Sequence, residues 1–279
     1  MTVAAPPRRP PRGPDPEALF DEARRHRRRR RLRLLLAALV VLAAGAGAYA
    51  AFGSGNTVFG LGDGSRSAVP PRYRAVVLLV DVSGSMRATD VAPTRLGATV
   101  KALETFLGRL PDRIQVGLVS FSTSAKVVVP PTRDHALVRE GLSSLEPLSG
   151  TALGDGLDAA VKLTVQVLRR DGVRPAAGHE APAAIVLESD GAQNRGAVTP
   201  MQAAHRAEAA GIRVDGVALG TPNGKVAFGS GLMQNSIPVP PDPKTVEQVA
   251  RLTGGDAFTA TSSARLAAVC RELVATIGR

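Results

Sequence analysis

The chain has a single cysteine, no tryptophan and only 3% aromatic residues among its 279. Because Cys270 has no second cysteine to pair with, the fold depends on its core without an intramolecular disulfide. With few aromatic side chains, that core is expected to consist of Val, Leu, Ile and Ala. The G-x-S-x-G, H-E-x-x-H and G-x-x-x-x-G-K-[ST] motifs are also absent, which argues against catalysis. We therefore expect that the chain is not an enzyme.

Positive charge is concentrated near the N-terminus. The formal net charge is +11, and residues 1–33 contain eleven arginines against four acidic residues, a net charge of +7. The remaining residues carry only +4, so the charge does not indicate a nucleic-acid partner. The Pro- and Arg-rich residues 1–33 are predicted to form a disordered cytoplasmic tail.

An apolar segment, Leu34–Phe52, follows the arginines and contains no charged residue. As a helix rising about 1.5 Å per residue it would span about 28 Å, close to the ~30 Å hydrocarbon core of a membrane. The flanking arginines predict a single-pass anchor with a cytoplasmic N-terminus, contact with anionic lipid and an outer domain. The alternative is a signal peptide cleaved near Ala50, which would release a secreted protein. Residues 53–71 are predicted to be a linker and residues 72–279 one domain.

In that domain, short β-branched runs alternate with segments of helical periodicity, which is typical of an α/β fold with a mostly parallel sheet. Strands are predicted at residues 75–82, 114–121, 126–129, 183–187, 212–219 and 257–259. Continuous apolar runs predict helices on both faces of the sheet. Residues 122–125 are too few for a crossover, so the strand at 126–129 is predicted to be an antiparallel edge strand. Helices are predicted after the caps Thr94, Thr199 and Asp242, after Thr151, and over residues 264–277.

Oxygen-bearing side chains follow two of the buried strands and begin one helix. The candidate metal ligands are Asp81, Ser83, Ser85, Thr151 and Asp190. Because ligands of open α/β sheets bind at the carboxyl ends of strands, these segments are expected to converge at one edge. Oxygen donors without His or Cys favour Mg²⁺, Mn²⁺ or Ca²⁺ over zinc or copper. Magnesium usually keeps several waters, so the site is expected to leave room for an outside ligand.

Two residues near the site have simpler interpretations. Thr151, taken alone, could cap its helix instead of binding an ion. Glu188, next to the site, is expected to be solvated or paired with a neighbour.

The segments DVSGS at 81–85, SGT at 149–151 and SDG at 189–191 together resemble the metal-ion-dependent adhesion site of von Willebrand factor A domains. The resemblance extends from residue 73 to about 277 and implies a Rossmann-like three-layer fold. It also implies that Ser83, Ser85 and Thr151 supply hydroxyl oxygens, while Asp81 and Asp190 bind the ion directly or through water. MRATDV at 86–91 and PPT at 130–132 are similar to bacterial membrane-anchored members of the Bat (aerotolerance) type.

The resemblance implies a function in protein binding. Neutral hydroxyl ligands leave charge on the ion, so that Asp or Glu of a partner protein can take its open position. The resembled bacterial proteins imply a role in envelope complex assembly or stress tolerance. Two alternatives remain open, a metal-dependent hydrolase and a scaffold in which the ion is purely structural.

Overall fold

The structure is a computed structural model of the chain, and it describes residues 73–174, 178–191, 193–228 and 235–278. The chain divides into two units, Met1–Ser67 and Ala68–Arg279, and every described residue belongs to the second. The predicted tail (1–33), membrane helix (34–52) and linker (53–71) therefore lie outside the described residues. Among the helices that are described, none combines the length and the apolar character needed to cross a membrane.

The described part of the chain alternates strands with helices, as the sequence pattern predicts. The strands are β1 (Ala75–Asp81), β2 (Gln115–Phe121), β3 (Ala125–Thr132), β4 (Ala183–Ser189), β5 (Arg213–Leu219), β6 (Lys225–Phe228), β7 (Asn235–Pro238) and β8 (Ala257–Ala260). The helices are α1 (Arg95–Leu107), α2 (His135–Ser143), α3 (Leu153–Arg170), α4 (Pro200–Ala209), α5 (Pro243–Leu252) and α6 (Ser263–Ile277). A short 3-10 helix, Gly84–Arg87, follows β1.

Six strands form one sheet in the order β3-β2-β1-β4-β5-β8. β3 pairs antiparallel with β2, and all other neighbours in this sheet are parallel. The chain passes from β1 to β2 on one side and later returns to β4 on the other, so the strand order reverses at β1. Such a reversal opens a crevice at the carboxyl ends of the strands. We call the carboxyl ends of β1, β2 and β4, with the loops that follow them, the rim.

Helices cover both faces of the sheet, so the predicted three-layer architecture is confirmed. Alternate residues of β1, among them Val76 and Leu78, enter a core closed by α1, α2 and α6. The residues between them, among them Val77 and Leu79, enter the core closed by α3, α4 and α5. Every residue of β1, β2 and β4 is buried, which explains why apolar residues follow one another in these strands instead of alternating with polar ones.

The predicted strands and helix caps agree closely with the structure. Thr94, Thr199 and Asp242 each accept a hydrogen bond from a backbone N–H in the first turn of their helix. The antiparallel edge strand is confirmed, but it continues to Thr132 instead of ending at residue 129. It runs through two prolines because an edge strand tolerates residues that cannot donate a ladder hydrogen bond. Its pairing with β2 is irregular between Val116 and Val119, where the register shifts.

A second, two-stranded sheet was not predicted. β6 and β7 pair antiparallel between β5 and α5, and we call Lys225–Phe228 with Asn235–Pro238 the ribbon. All four residues of β7 are exposed. A strand without a buried face has no apolar alternation, so no periodic signal marks it in the sequence.

Candidate metal centre

Asp81 is the last residue of β1 and is completely buried at the rim. Its Oδ1 accepts a hydrogen bond from the backbone N–H of Ser83 at 2.7 Å, and its Oδ2 accepts one from the Ser189 hydroxyl at 2.6 Å. Since Ser189 ends β4, this second bond joins two neighbouring strands. The carboxylate is therefore held in one orientation, as a metal ligand must be.

Ser83 and Ser85 lie where the 3-10 helix begins. Their hydroxyl oxygens are 2.9 Å apart, so both can face a single ion. Met86, in the same 3-10 helix, is fully buried and fixes this short segment to the core. Ser83 itself is 1% exposed. The sequence spacing of Asp81, Ser83 and Ser85 thus produces one compact group of oxygen atoms.

The turn that carries Thr151 packs against the ends of β1 and β2. The backbone N–H of Leu148 donates to the Val82 carbonyl at 2.6 Å, and that of Ala152 donates to the Ser122 carbonyl at 2.6 Å. Thr151 is 3% exposed. The helix cap of α3 is Ala152, and no side chain caps it. Thr151 is therefore not the cap, and its buried side chain is available for another role.

Asp190 follows β4 directly and is 1% exposed. Its Oδ2 accepts a hydrogen bond from Nη1 of Arg95 at 3.1 Å, and the Arg95 side chain is itself fully buried. β1 and β4 are adjacent in the sheet, so Asp81 and Asp190 extend from neighbouring strand ends. All the segments that carry the five predicted ligands thus reach the rim.

The electrostatics of Asp81 fit a cation. Burial, together with the nearby negative charge of Asp190, raises the pKa of Asp81 to about 7, although hydrogen bonds from Ser189 and Ser83 oppose the shift. Two carboxylates held this close repel each other, and a divalent ion between them would replace that repulsion by attraction. Among the described residues there is no cluster of three or more His, Cys, Asp or Glu side chains. The donor set is instead two carboxylates and three hydroxyls, which suits a hard cation.

Several residues that shape the rim were missed by the sequence analysis. Ser189 orients Asp81, and Arg95 binds Asp190. The side-chain oxygen of Asn194 accepts from the backbone N–H of Thr151 at 3.0 Å, and that of Gln193 accepts from Gly154 at 2.8 Å. Positive charge is unfavourable near the N-terminus of a helix. The place of Arg95, directly after the cap Thr94, was therefore the one signal in the sequence that this residue has a special partner.

The expectation for Glu188 was wrong. This residue is in β4 and is completely buried instead of solvated, and neither carboxylate oxygen has a hydrogen-bond partner among the described residues. Burial raises its pKa to about 8. The apolar run before it gave no sign that the strand continues past Leu187 and carries a carboxyl group into the core.

Comparison with known proteins gives the same fold. Residues 76–193 match the family model described as the von Willebrand factor type A domain. A UPF0353 protein of Mycolicibacterium paratuberculosis is 40% identical over 219 residues, which cover 75% of this chain and 62% of that protein. One from Mycolicibacterium gilvum is 38% identical over 218 residues, with the same coverage. The chain thus matches less than two thirds of the length of these relatives.

Two solved structures share the fold at lower sequence identity. BatB from Bacteroides thetaiotaomicron superposes with a TM-score of 0.58 at 22% identity, covering 72% of this chain and 98% of that one. An aerotolerance-related membrane protein from Bacteroides fragilis superposes with a TM-score of 0.59, also at 22% identity, with the same coverage. Sheet order, the family match over residues 76–193 and these superpositions agree. Residues 76–193 are therefore identified as a match to the von Willebrand factor type A domain, and the described fold agrees with that match.

Proposed function

We propose that the chain is a membrane-anchored von Willebrand factor type A module that binds an acidic side chain of a partner protein through a divalent cation. Asp81, Ser83, Ser85, Thr151 and Asp190 would hold the ion. The observation that carries the proposal is the placement of two buried carboxylates and two adjacent hydroxyls at the ends of β1 and β4. When bound, the ion would supply positive charge and an open coordination position for an oxygen ligand.

The residues present favour binding over hydrolysis. Hydrolysis by the Ser83 hydroxyl would need a general base within hydrogen-bond reach. The Ser83 hydroxyl contacts that of Ser85, and no contact between the Ser83 hydroxyl and a basic side chain is seen among the described residues. The three described histidines lie elsewhere: His135 contacts the Ile114 carbonyl, His205 contacts Glu208, and His179 is in the loop before β4. These contacts support a docking surface.

Metal binding is tested first, by thermal unfolding and titration calorimetry on the full-length chain. We expect Mg²⁺ or Mn²⁺ to raise the melting temperature, with a stabilisation of about 2.7 kcal/mol at a free ion concentration of about 100 times Kd. Asp81→Ala is expected to abolish the shift. Asp112→Ala is the matched control, because Asp112 is an exposed acid between α1 and β2, away from the rim. A wild-type protein that binds no divalent ion would contradict the proposal.

Partner binding is tested separately, by affinity capture from envelope extracts with and without Mg²⁺. We expect one partner to be retained by the wild type and by Asp112→Ala, and to be lost on chelation or with Asp81→Ala and Asp190→Ala. If chelation lowers the melting temperature while the captured partner stays bound, the ion is a structural element and the docking role is wrong. Metal-dependent hydrolysis of esters, peptides or phosphates that disappears in Asp81→Ala would favour the enzyme alternative.

A further inference from the structure

Arg95 is a charged side chain with no exposure to solvent, in the first turn of α1. A buried guanidinium is costly unless its hydrogen-bond donors are all matched. Asp90 supplies a bidentate partner, with Nε to Oδ1 at 2.9 Å and Nη2 to Oδ2 at 2.8 Å. Although burial opposes it, this contact lowers the pKa of Asp90. The pair is therefore a permanent ionic group at neutral pH.

The same guanidinium contacts two further parts of the domain. Nη1 donates to Oδ2 of Asp190 at 3.1 Å, and Nη2 donates to the backbone carbonyl of Val239 at 2.9 Å. Val239 directly follows β7 of the ribbon. One side chain thus joins a proposed metal ligand to the end of the ribbon.

The loop between β5 and β6, which leads into the ribbon, contacts the same ion pair. Both the backbone N–H and the hydroxyl of Thr221 donate to Oδ2 of Asp90, at 2.7 and 3.1 Å. Gly220 has a φ of +126°, and a Cβ there would lie 2.5 Å from Cζ of Arg95. A Cβ on Gly224 would lie 2.2 Å from Nη2 of Arg95. The two glycines let the backbone of the loop before β6 pack directly on the guanidinium.

The ribbon lies beside the metal centre. β6 packs against the 3-10 helix that carries Ser85. Ile237 of β7 is 54% exposed, and Leu148, whose backbone is bonded to Val82 at the rim, is 55% exposed. Both apolar side chains are therefore open to contact by a partner protein.

We propose that Arg95 is a positioning residue that couples ion binding at Asp190 to the conformation of the ribbon. The inference rests on the proposed function, because it needs an ion at Asp190. A divalent ion and the guanidinium compete for the same carboxylate. When the ion binds, the contact between Arg95 and Asp190 weakens, and the guanidinium is left to Asp90 and the Val239 carbonyl. The ribbon is then held more firmly in the metal-bound state than in the metal-free state.

Hydrogen exchange on the full-length chain, with Mn²⁺ or with EDTA, tests this coupling. In the wild type we expect Mn²⁺ to slow exchange of the amides in residues 221–228 and 235–239 by about fivefold or more, the lower end of usual coupling between sites. In Arg95→Met, which cannot bridge the two carboxylates, this metal-dependent difference should disappear while calorimetry still detects Mn²⁺ binding. Arg95→Lys, which keeps the charge and one contact, should restore part of it.

Arg213→Met is the matched control. Arg213 is also largely buried and pairs with two carboxylates, Asp215 and Asp256, but it begins β5, at the end of that strand away from the rim. Loss of an arginine that only stabilises the fold should change hydrogen exchange equally with and without the ion. Arg213→Met should therefore keep the full metal-dependent difference in exchange of the ribbon.

The outcomes separate the two proposals. If the wild type binds Mn²⁺ but exchange in the ribbon is the same with and without the ion, the coupling is wrong and the metal site stands. If the wild type binds no ion, both fail. If Arg95→Met does not fold, Arg95→Lys carries the test: a metal-dependent difference in that variant as large as in the wild type would show that Arg95 does not couple the two.

Discussion

Glu188 is a carboxyl group buried in the core without a hydrogen-bond partner among the described residues. Its side chain faces the core closed by α1 and α6, because it follows Ala184 and Val186 at every second position of β4. Burial raises the pKa of Glu188 to about 8. Burial, together with the Glu188 charge, also raises the pKa of Cys270 in α6. This part of the core therefore disfavours negative charge, and the protonated carboxyl is the form that suits it.

We expect Glu188→Gln to be more stable than the wild type at pH 8 and to lose that advantage at pH 5. The folded-state pKa lies above the ordinary value of 4.5, so the contribution of Glu188 to stability is fully present below pH 4.5 and is lost as pH rises towards 8. The full shift corresponds to a loss on the order of 5 kcal/mol. Urea unfolding of the wild type and of Glu188→Gln in metal-free buffer, at pH 5 and pH 8, measures this difference in unfolding free energy. Equal pH dependence of the two unfolding free energies would show that Glu188 is not the cause.

The N-terminal turn of α3 packs closely against neighbouring elements, and this packing fixes part of the rim. A Cβ on Gly154 would lie 2.1 Å from the Val198 carbonyl oxygen, and one on Gly156 would lie 2.8 Å from the Phe121 ring. The first turn of α3 thus touches both β2 and the loop that follows β4. That loop also holds the Thr151 backbone through Asn194. The position of the Thr151 turn depends on two small residues that permit this approach.

We expect Gly154→Ala to destabilise the domain by about 1–3 kcal/mol, because the backbone at Val198 must move to admit a methyl group. In a helix without this contact the same change would stabilise by about 1 kcal/mol. Gly108→Ala provides that control, since Gly108 has helical dihedral angles and its Cβ would meet nothing closer than 3.5 Å. Chemical denaturation compares the two variants. A Gly154→Ala protein as stable as Gly108→Ala would mean that the loop after β4 yields easily.

At the scale of the whole domain, opposite ends of the sheet differ in chemistry. The rim gathers Asp81 and Asp190 at the carboxyl ends of β1 and β4. The other end, where Tyr73 precedes β1, has a cleft of about 710 Å³. Its lining includes Arg74, Arg113, Arg133 and Arg170. The chain enters β1 at the end of the sheet with the arginine-lined cleft. The two carboxylates of the rim, Asp81 and Asp190, lie at the opposite end.

The predicted anchor at Leu34–Phe52 is tested on the full-length chain in a bacterial host. Its apolar length predicts that the protein stays in the membrane fraction after alkaline extraction and that deletion of residues 34–52 makes it soluble. The arginines before it predict that protease added to spheroplasts digests the domain and leaves the N-terminal tail. A mature N-terminus near Ala51, read by mass spectrometry, would instead establish the cleaved signal peptide.

Local chemistry in the sequence was enough to predict a sheet covered by helices and the two carboxylates, Asp81 and Asp190, at the ends of its central strands. Strands buried on both faces must be apolar throughout, helix caps need Ser, Thr or Asp before the first turn, and hard cations need oxygen donors. Each of these requirements acts within a few residues, so β1, β4 and the cap Thr199 are visible in the chain itself.

The tertiary structure alone decided which distant groups meet. Ser189 binds a carboxylate 108 positions away, and Arg95 bridges partners 95 and 144 positions away. Arg95 also bonds the backbone directly after β7, a strand whose residues are all exposed, while Glu188 is buried because two helices cover the end of its strand. The periodicity of apolar residues predicts whether a side chain is buried or exposed. It does not predict which residue that side chain contacts, because contacts across the sheet depend on the order of the strands.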